Sequence, residues 1–367
     1  MTGTVVLAPD KFKGSATAEQ VARSLRAGLL DVAPGTTVVE VPVADGGEGT
    51  VDAALRQGFR ALPVRVRGPL GDPVDAVVAV RDRTAVVELA LASGLALVGS
   101  RPAPTTATTY GTGQLVAAAL DAGCTSIVLG LGGSASTDGG AGMLQALGAV
   151  LLDADGAPVP AGLGHPLRTH AVDLTRLDAR LRDADVVVAT DVDHPLLGRR
   201  GAAPVFAPQK GADARQVEAL ADALARWAAL VGPASAAAPG AGAAGGVGFA
   251  ALAALGARVR PGVEVVLEIV GLAEQLAGAR LVVTGEGSLD EQSAGGKTPV
   301  GVARAAAAAG VPAVAVAGRT TLAPDALRAL GFTATYTLVE REPDVARCLA
   351  EGPALLRAVG REIARSL

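Results

Sequence analysis

Apolar residues in this chain fall in short runs, several of which close on a small residue, a carboxylate and a turn. Residues 4–8 form the first such run, ending in Pro9 and Asp10. Apolar positions then recur with helical period over residues 17–30, so the chain opens as strand, loop and helix. Residues 37–43 predict a second strand, and Ala44-Asp-Gly-Gly-Glu-Gly49 leads to a helix from residue 50 to about 57. The next stretch changes character. Residues 62–67, 74–80 and 84–89 are closely spaced and partly alternating, with no room for helices between them, which predicts an antiparallel or mixed sheet. Helix and strand alternate again over 111–153, a strand is expected at 186–191 and an amphipathic helix at 216–230. After a glycine-rich turn, residues 249–255 continue as helix, and strands at 281–284, 313–317 and 333–339 are spaced by helix-length segments.

Both chain ends therefore read as parallel α/β material and the middle reads differently. The expected fold class is α/β with two α/β domains. Residues 1–60 plus 279–367 would form a Rossmann-like or flavodoxin-like parallel sheet, and residues 61–278 an inserted domain with a mixed sheet. A length of 367 residues fits two or three domains. Half the residues are apolar, the formal net charge is −4 and only 2% are aromatic, so neither a basic groove nor a row of stacking rings is available for nucleic acid. Residues 228–257 are the one long uncharged segment, but Pro233, Pro239 and repeated glycines interrupt it. This argues against a membrane span. Cys124 and Cys348 are far apart and are expected as small packed hydrophobes in a reducing compartment. With no signal-peptide pattern at the N-terminus, the reading is a cytoplasmic protein, monomer or homodimer, acting on small molecules.

Of the 32 lysines and arginines only four are lysine: Lys11, Lys13, Lys210 and Lys297. Each sits in or beside a glycine-containing turn. An ammonium is a compact point charge, and glycine lets a ligand approach the backbone closely, so this shared context points to phosphate. Asp10, Asp45, Asp191 and Glu286 are the carboxylates expected at strand ends, where open α/β sheets bind ligands.

The densest constellation is Ile127-Val-Leu-Gly-Leu-Gly-Gly-Ser-Ala-Ser-Thr-Asp-Gly-Gly140, opening into a helix from residue 141 to 147. Converging amides and the hydroxyls of Ser134, Ser136 and Thr137 make an anion cradle. The same stretch also satisfies a dinucleotide template, with Gly130, Gly132 and Ala135 as G-x-G-x-x-A and Asp155 as the distant acid. An NAD(P)-dependent oxidoreductase of a small hydroxy acid is thus the rival reading. Gly296-Lys-Thr298 ends like a P-loop, but the required first glycine is Glu291, so that motif fails. Lys297 still lies two residues before Pro299, a residue suited to a first helical turn, and Glu286 with Asp290 could hold magnesium. His165, His170 and His194 show no metal-ligand spacing, and no serine lies in G-x-S-x-G.

With these residues in view the chain resembles the bacterial glycerate kinase family. The likeness is carried by Ala8-Pro-Asp-Lys-Phe-Lys-Gly-Ser15, Val43-Ala-Asp-Gly-Gly-Glu-Gly-Thr50, Ala92-Ser-Gly-Leu95, Tyr110-Gly-Thr-Gly113, the 130–140 loop, Ala189-Thr-Asp-Val192, Phe206-Ala-Pro-Gln-Lys-Gly211, Pro239-Gly-Ala-Gly-Ala-Ala-Gly-Gly246 and Thr284-Gly-Glu-Gly-Ser-Leu-Asp290. The resemblance implies two α/β domains with a cleft between them and ATP-dependent phosphorylation of D-glycerate, with 2-phosphoglycerate the favoured product. Lys11 and the 193–197 turn depart from the family's usual residues. Under this reading Gly132, Gly133, Ser134, Asp138 and Lys297 contact the nucleotide, and Glu286 and Asp290 organise Mg2+. Asp10, Ser15 and Lys210 bind substrate or phosphate, Lys13 screens charge, and Asp191, then Asp45, is the candidate base. Lys13, Lys210, Lys297 and Glu286 are expected to converge on the triphosphate.

Overall fold

Thirteen strands in chain order carry the architecture of the computed structural model, which describes residues 3–367. They are β1 Thr4–Pro9, β2 Thr37–Glu40, β3 Arg60–Arg67, β4 Pro73–Arg81, β5 Thr84–Glu88, β6 Ser126–Gly130 and β7 Val150–Leu152. After these come β8 Ala171–Asp173, β9 Asp185–Ala189, β10 Arg258–Arg260, β11 Ala279–Leu289, β12 Ala313–Thr320 and β13 Phe332–Thr337. They form a five-stranded sheet ordered β13-β12-β11-β1-β2, a six-stranded sheet ordered β10-β9-β6-β5-β4-β3, and the pair β7-β8.

The chain divides into two compact units. The first comprises the described residues up to Asp45 together with Val263–Leu367, and the second comprises Gly46–Gly262. Segments 46–60 and 263–278 therefore group differently from the expected boundaries. The helix Thr50–Arg56 belongs with the middle of the chain because it packs on β4 and β5, and Glu88 at the end of β5 accepts from the amides of Gly49 and Val51 at 3.1 Å each.

In the first unit every strand pair is parallel. Numbered within the unit, the strands run 2-1-3-4-5, the flavodoxin-like order, whose topological switch point lies between the first and third strands, here β1 and β11. The helix Ala18–Val32 starts in a capping box, with Gln20 N donating to Thr17 Oγ1 and Thr17 N to Gln20 Oε1. It buries Val21, Leu25 and Leu29 and packs against the last helix, Gly352–Arg365. Asp31 accepts from Arg357 and Arg361 across that contact, and the two guanidiniums hold its carboxyl well below the usual range.

The second unit has the mixed sheet expected of the middle: β3, β4 and β5 are antiparallel, and β5, β6, β9 and β10 are parallel. Its core runs through Val87, Leu115, Leu129, Met143, Trp227 and Phe249. The uncharged segment becomes the helix Ala243–Ala254, interrupted at its start by left-handed Ala244, Gly245 and Gly246. No helix among the described residues is long and apolar enough to cross a membrane. Cys124 and Cys348 are free and buried.

Candidate active site

In the first unit, β1 ends at Pro9 opposite Gly285 of β11, so Asp10 and Glu286 stand side by side at the switch point. Asp10 is 7% exposed and anchored: its Oδ1 accepts from Lys11 N at 2.6 Å and its Oδ2 from Thr298 Oγ1 at 2.8 Å. Burial and the neighbouring charge of Asp45 push its carboxyl up to about 6. Burial likewise pushes Glu286 up to about 7, opposed by Ser293 and Lys297 and assisted by Asp10 and Asp290. Its Oε1 is buried with no hydrogen-bond partner among the described residues. Two crowded carboxyls with raised pKa values, edged by Lys11 and Lys297, are a place where a cation would be welcome. Among the described residues no group of three or more His, Cys, Asp or Glu is disposed to hold a metal.

Glu286 does not end its strand as expected. β11 continues to Leu289 because β12 pairs with it at Glu286, Ser288 and Leu289. Lys297 is the N-cap of the helix Thr298–Ala308, with Pro299 in its first turn. Lys13 is exposed, and its backbone lies against Gly287. Ser15 is not in this group, because its hydroxyl donates to Leu349 O at 3.0 Å.

In the second unit the 130–140 loop leaves β6 and is held from every side. Ala135 N donates to Ser93 O, Leu95 N to Gly133 O, and Gly139 N to Gly245 O. A Cβ on Gly132 would come within 2.4 Å of Gly47 Cα, and one on Gly245 within 2.2 Å of Ser136 O, so both positions need glycine. Trp227 Nε1 donates to Gly139 O at 2.9 Å. Lys210 is buried, donating from Nζ to Ser134 Oγ at 2.8 Å and to the carbonyl of Ser136. Burial brings its ammonium down to about 7, with Asp138 acting against it. The Ser136 and Thr137 hydroxyls are buried beside it without hydrogen-bond partners among the described residues. Asp191 is exposed, two residues past β9, and its Oδ1 accepts from Gly262 N at 2.8 Å.

A family model for the glycerate kinase family matches residues 5–367. This chain belongs to the glycerate kinase family. A glycerate kinase of Halalkalibacterium halodurans is 43% identical over 370 residues, covering 98% of this chain and 97% of that protein. The glycerate 2-kinase of Escherichia coli is 42% identical over 344 residues, with 91% and 90% covered. A crystal structure described as glycerate kinase 2 from Salmonella typhimurium LT2 superposes with a TM-score of 0.84 at 39% identity, covering 100% of this chain and 98% of that one. The chain is accordingly a kinase, and the mixed α/β architecture is that of its relatives.

The glycerate kinase fold removes the context that the dinucleotide template requires. In a dinucleotide fold the third small residue opens the helix, whereas here ten residues separate the end of β6 at Gly130 from the helix Ala141–Ala146. Asp155 follows β7, which pairs antiparallel with β8 in a separate two-stranded ladder. The oxidoreductase reading is therefore not supported. Asp138, expected to contact the nucleotide, is fully buried and engaged within the protein: it accepts from Thr109 N, Thr109 Oγ1, Gly140 N and Gly142 N at 2.7–3.2 Å. Those four hydrogen bonds fix the loop in this kinase.

Two groups escaped the sequence reading. Glu88, 2% exposed and pushed by burial up to about 7, ends an apolar strand as Asp10 does, and that shared position was its signal. Thr298 looked like the end of a failed P-loop, but it reaches 288 positions back to Asp10. Only the fold brings those two together.

Proposed function

We propose that this kinase transfers the γ-phosphoryl group of ATP, carried with Mg2+, to the 2-hydroxyl of D-glycerate, giving 2-phosphoglycerate. The family match over residues 5–367 carries the reading, and the name of the Escherichia coli relative favours the 2-position. Glu286 and Asp290 would hold the magnesium ion. The unpartnered Oε1 of Glu286 and the mutual repulsion of these carboxyls fit such a ligand. When bound, the ion supplies charge neutralisation on the phosphates.

The protein's own contribution is positioning and electrostatics, as phosphoryl transfer requires. Lys297 and the first amides of the helix Thr298–Ala308 bind phosphate oxygens, as do Gly132, Gly133 and Ser134. Lys13 and Lys210 neutralise the substrate carboxylate or the moving phosphoryl group. An anion beside Lys210 restores the proton that burial removes, so the ammonium is charged when it is needed. Asp191 orients the attacking hydroxyl and accepts its proton, with Asp45 the second candidate for that role.

The test is a coupled ADP assay over a panel of small hydroxy acids, with phosphorus NMR to locate the ester. Mg2+-dependent ADP release with glycerate and an ester at C2 is expected. Release that persists without magnesium, or an ester at C3, overturns the corresponding part. Asp191→Asn is expected to lower kcat by roughly 100-fold with little change in nucleotide affinity.

A further inference from the structure

The C-terminal edge of the first unit's sheet continues past the carboxylate pair. Glu286 pairs with Ala317 of β12, and Ala317 pairs with Thr337 of β13. Residues directly paired in parallel neighbours face the same side of a sheet, so Thr337 faces as Glu286 does. It lies two strands away, about 10 Å at the usual strand spacing.

Thr337 opens on a groove of about 210 Å³ between β13 and the helix Pro324–Ala329, lined also by Thr320, Leu322, Leu327, Thr335 and Glu340. The residue is 3% exposed and its Oγ1 is buried, yet Thr337 Oγ1 has no hydrogen-bond partner among the described residues. Neighbouring hydroxyls are committed, Thr320 Oγ1 to Leu289 O and Thr333 Oγ1 to Ala313 O, each at 3.0 Å. A buried hydroxyl left unmatched is destabilising, because it has given up water without gaining a partner. A ligand atom at this point would recover that cost. Glu340, at the groove's exposed rim, approaches Thr337 N with Oε2 at 3.4 Å and accepts hydrogen bonds only, when ionised.

We propose that this groove is the purine subsite for the adenine of the phosphoryl donor. Leu322 and Leu327 supply apolar surface for the ring, the Thr337 hydroxyl meets a ring nitrogen, and Glu340 takes a hydrogen of the exocyclic amino group. The ribose and phosphates then run along the strand ends toward Glu286 and Lys297. Guanine offers a carbonyl oxygen where adenine offers the amino group, so Glu340 repels it, and the site selects ATP over GTP. The assignment rests on the reading that a nucleoside triphosphate is the donor.

Titration calorimetry with ADP and GDP tests it on the full chain, comparing wild type with Thr337→Val and Glu340→Gln. Valine keeps the shape and deletes only an unmatched hydroxyl, so the fold is retained. Thr337→Val is expected to weaken ADP by about threefold to tenfold, the worth of one neutral hydrogen bond. Glu340→Gln is expected to narrow the preference for ADP over GDP by a similar factor. ADP affinity within twofold of wild type in both variants overturns the subsite. Glycerate-dependent ADP release, scored on the same preparations, separates the two claims. Turnover with unchanged ADP affinity in the variants sinks the subsite alone. Weakened ADP binding in Thr337→Val, with no turnover by wild type, supports the subsite and sinks the kinase reaction.

Discussion

Lys210 Nζ donates to Ser134 Oγ at 2.8 Å, joining a buried ammonium to the loop that follows β6. Burial holds this lysine at about 7 in the fold against 10.5 as a free side chain. Between those values the unfolded chain binds the extra proton, so this group makes stability rise with pH from about 7 to 10.5. Lys210→Met is expected to flatten that rise, seen as a smaller gain in Tm between pH 7 and 9 than wild type. It should also lower kcat/KM for glycerate by more than about tenfold, with no rescue by Lys210→Arg, whose planar fork does not fit a point-charge site.

Glu88 ties β5 to the start of the helix Thr50–Arg56 through one oxygen, Oε2, which accepts both amides. A glutamine can set its carbonyl oxygen in that place and keep both bonds. Glu88→Gln should therefore unfold in urea close to wild type near pH 4.5, where the wild-type carboxyl is still protonated in the fold, whereas Glu88→Ala should lose about 2–4 kcal/mol by leaving two buried donors unmatched. Burial raises this carboxyl from 4.5 to about 7, so its contribution is full below pH 4.5 and lost as pH rises through 7. Glu88→Gln should remove that loss.

Glu286 and Asp10 carry the same sign of linkage, with values raised from 4.5 to about 7 and from 3.8 to about 6. Their stabilisation is present below about pH 4 and disappears as pH rises through 6–7. Glu286→Gln should be more stable than wild type at pH 8, by about 1 kcal/mol given its partial exposure, and less active by roughly 100-fold. Thermal unfolding and the ADP assay on one sample check both halves. A variant that is less stable and fully active refutes a functional role for this carboxyl.

Gly245 has a φ of +66° and faces the carbonyl of Ser136. Gly245→Ala should cost more than about 3 kcal/mol and disturb the Ser134 loop, reducing activity along with stability. Gly310, with a φ of +68° and open space around it, is the control. Gly310→Ala carries only the backbone strain and should cost about 1 kcal/mol. Urea midpoints for the two variants separate crowding from strain.

The strand and helix pattern was readable because apolar runs of four to eight residues have a period the backbone enforces. The parallel ends and the mixed middle followed from spacing alone. Asp10 was legible as a strand-end acid and Lys297 as a residue beside a helix start, whereas Glu286 lies inside β11, which its pairing with β12 carries on to Leu289. Glu88 shares the strand-end position, but its partners, two amides some 40 positions earlier in the chain, are brought to it only by the fold. Asp138 misled for a related reason. An aspartate in a glycine-rich loop reads as a ligand contact, and only the position of Thr109 reveals that its oxygens are already taken. The two-domain boundary shifted by about 15 residues because the loop at 46–49 is tied to Glu88, a side chain that no local pattern connects to it.

β1 is a central strand whose two neighbours are β2, made at once, and β11, which begins at Ala279. The ribosome therefore delivers the entire second unit before β1 can gain its other partner, and the helix Ala18–Val32 waits longer still for Gly352–Arg365. The middle of the polypeptide is free to mature first while β1 stays open at one edge, exposed to mispairing until β11 has been made.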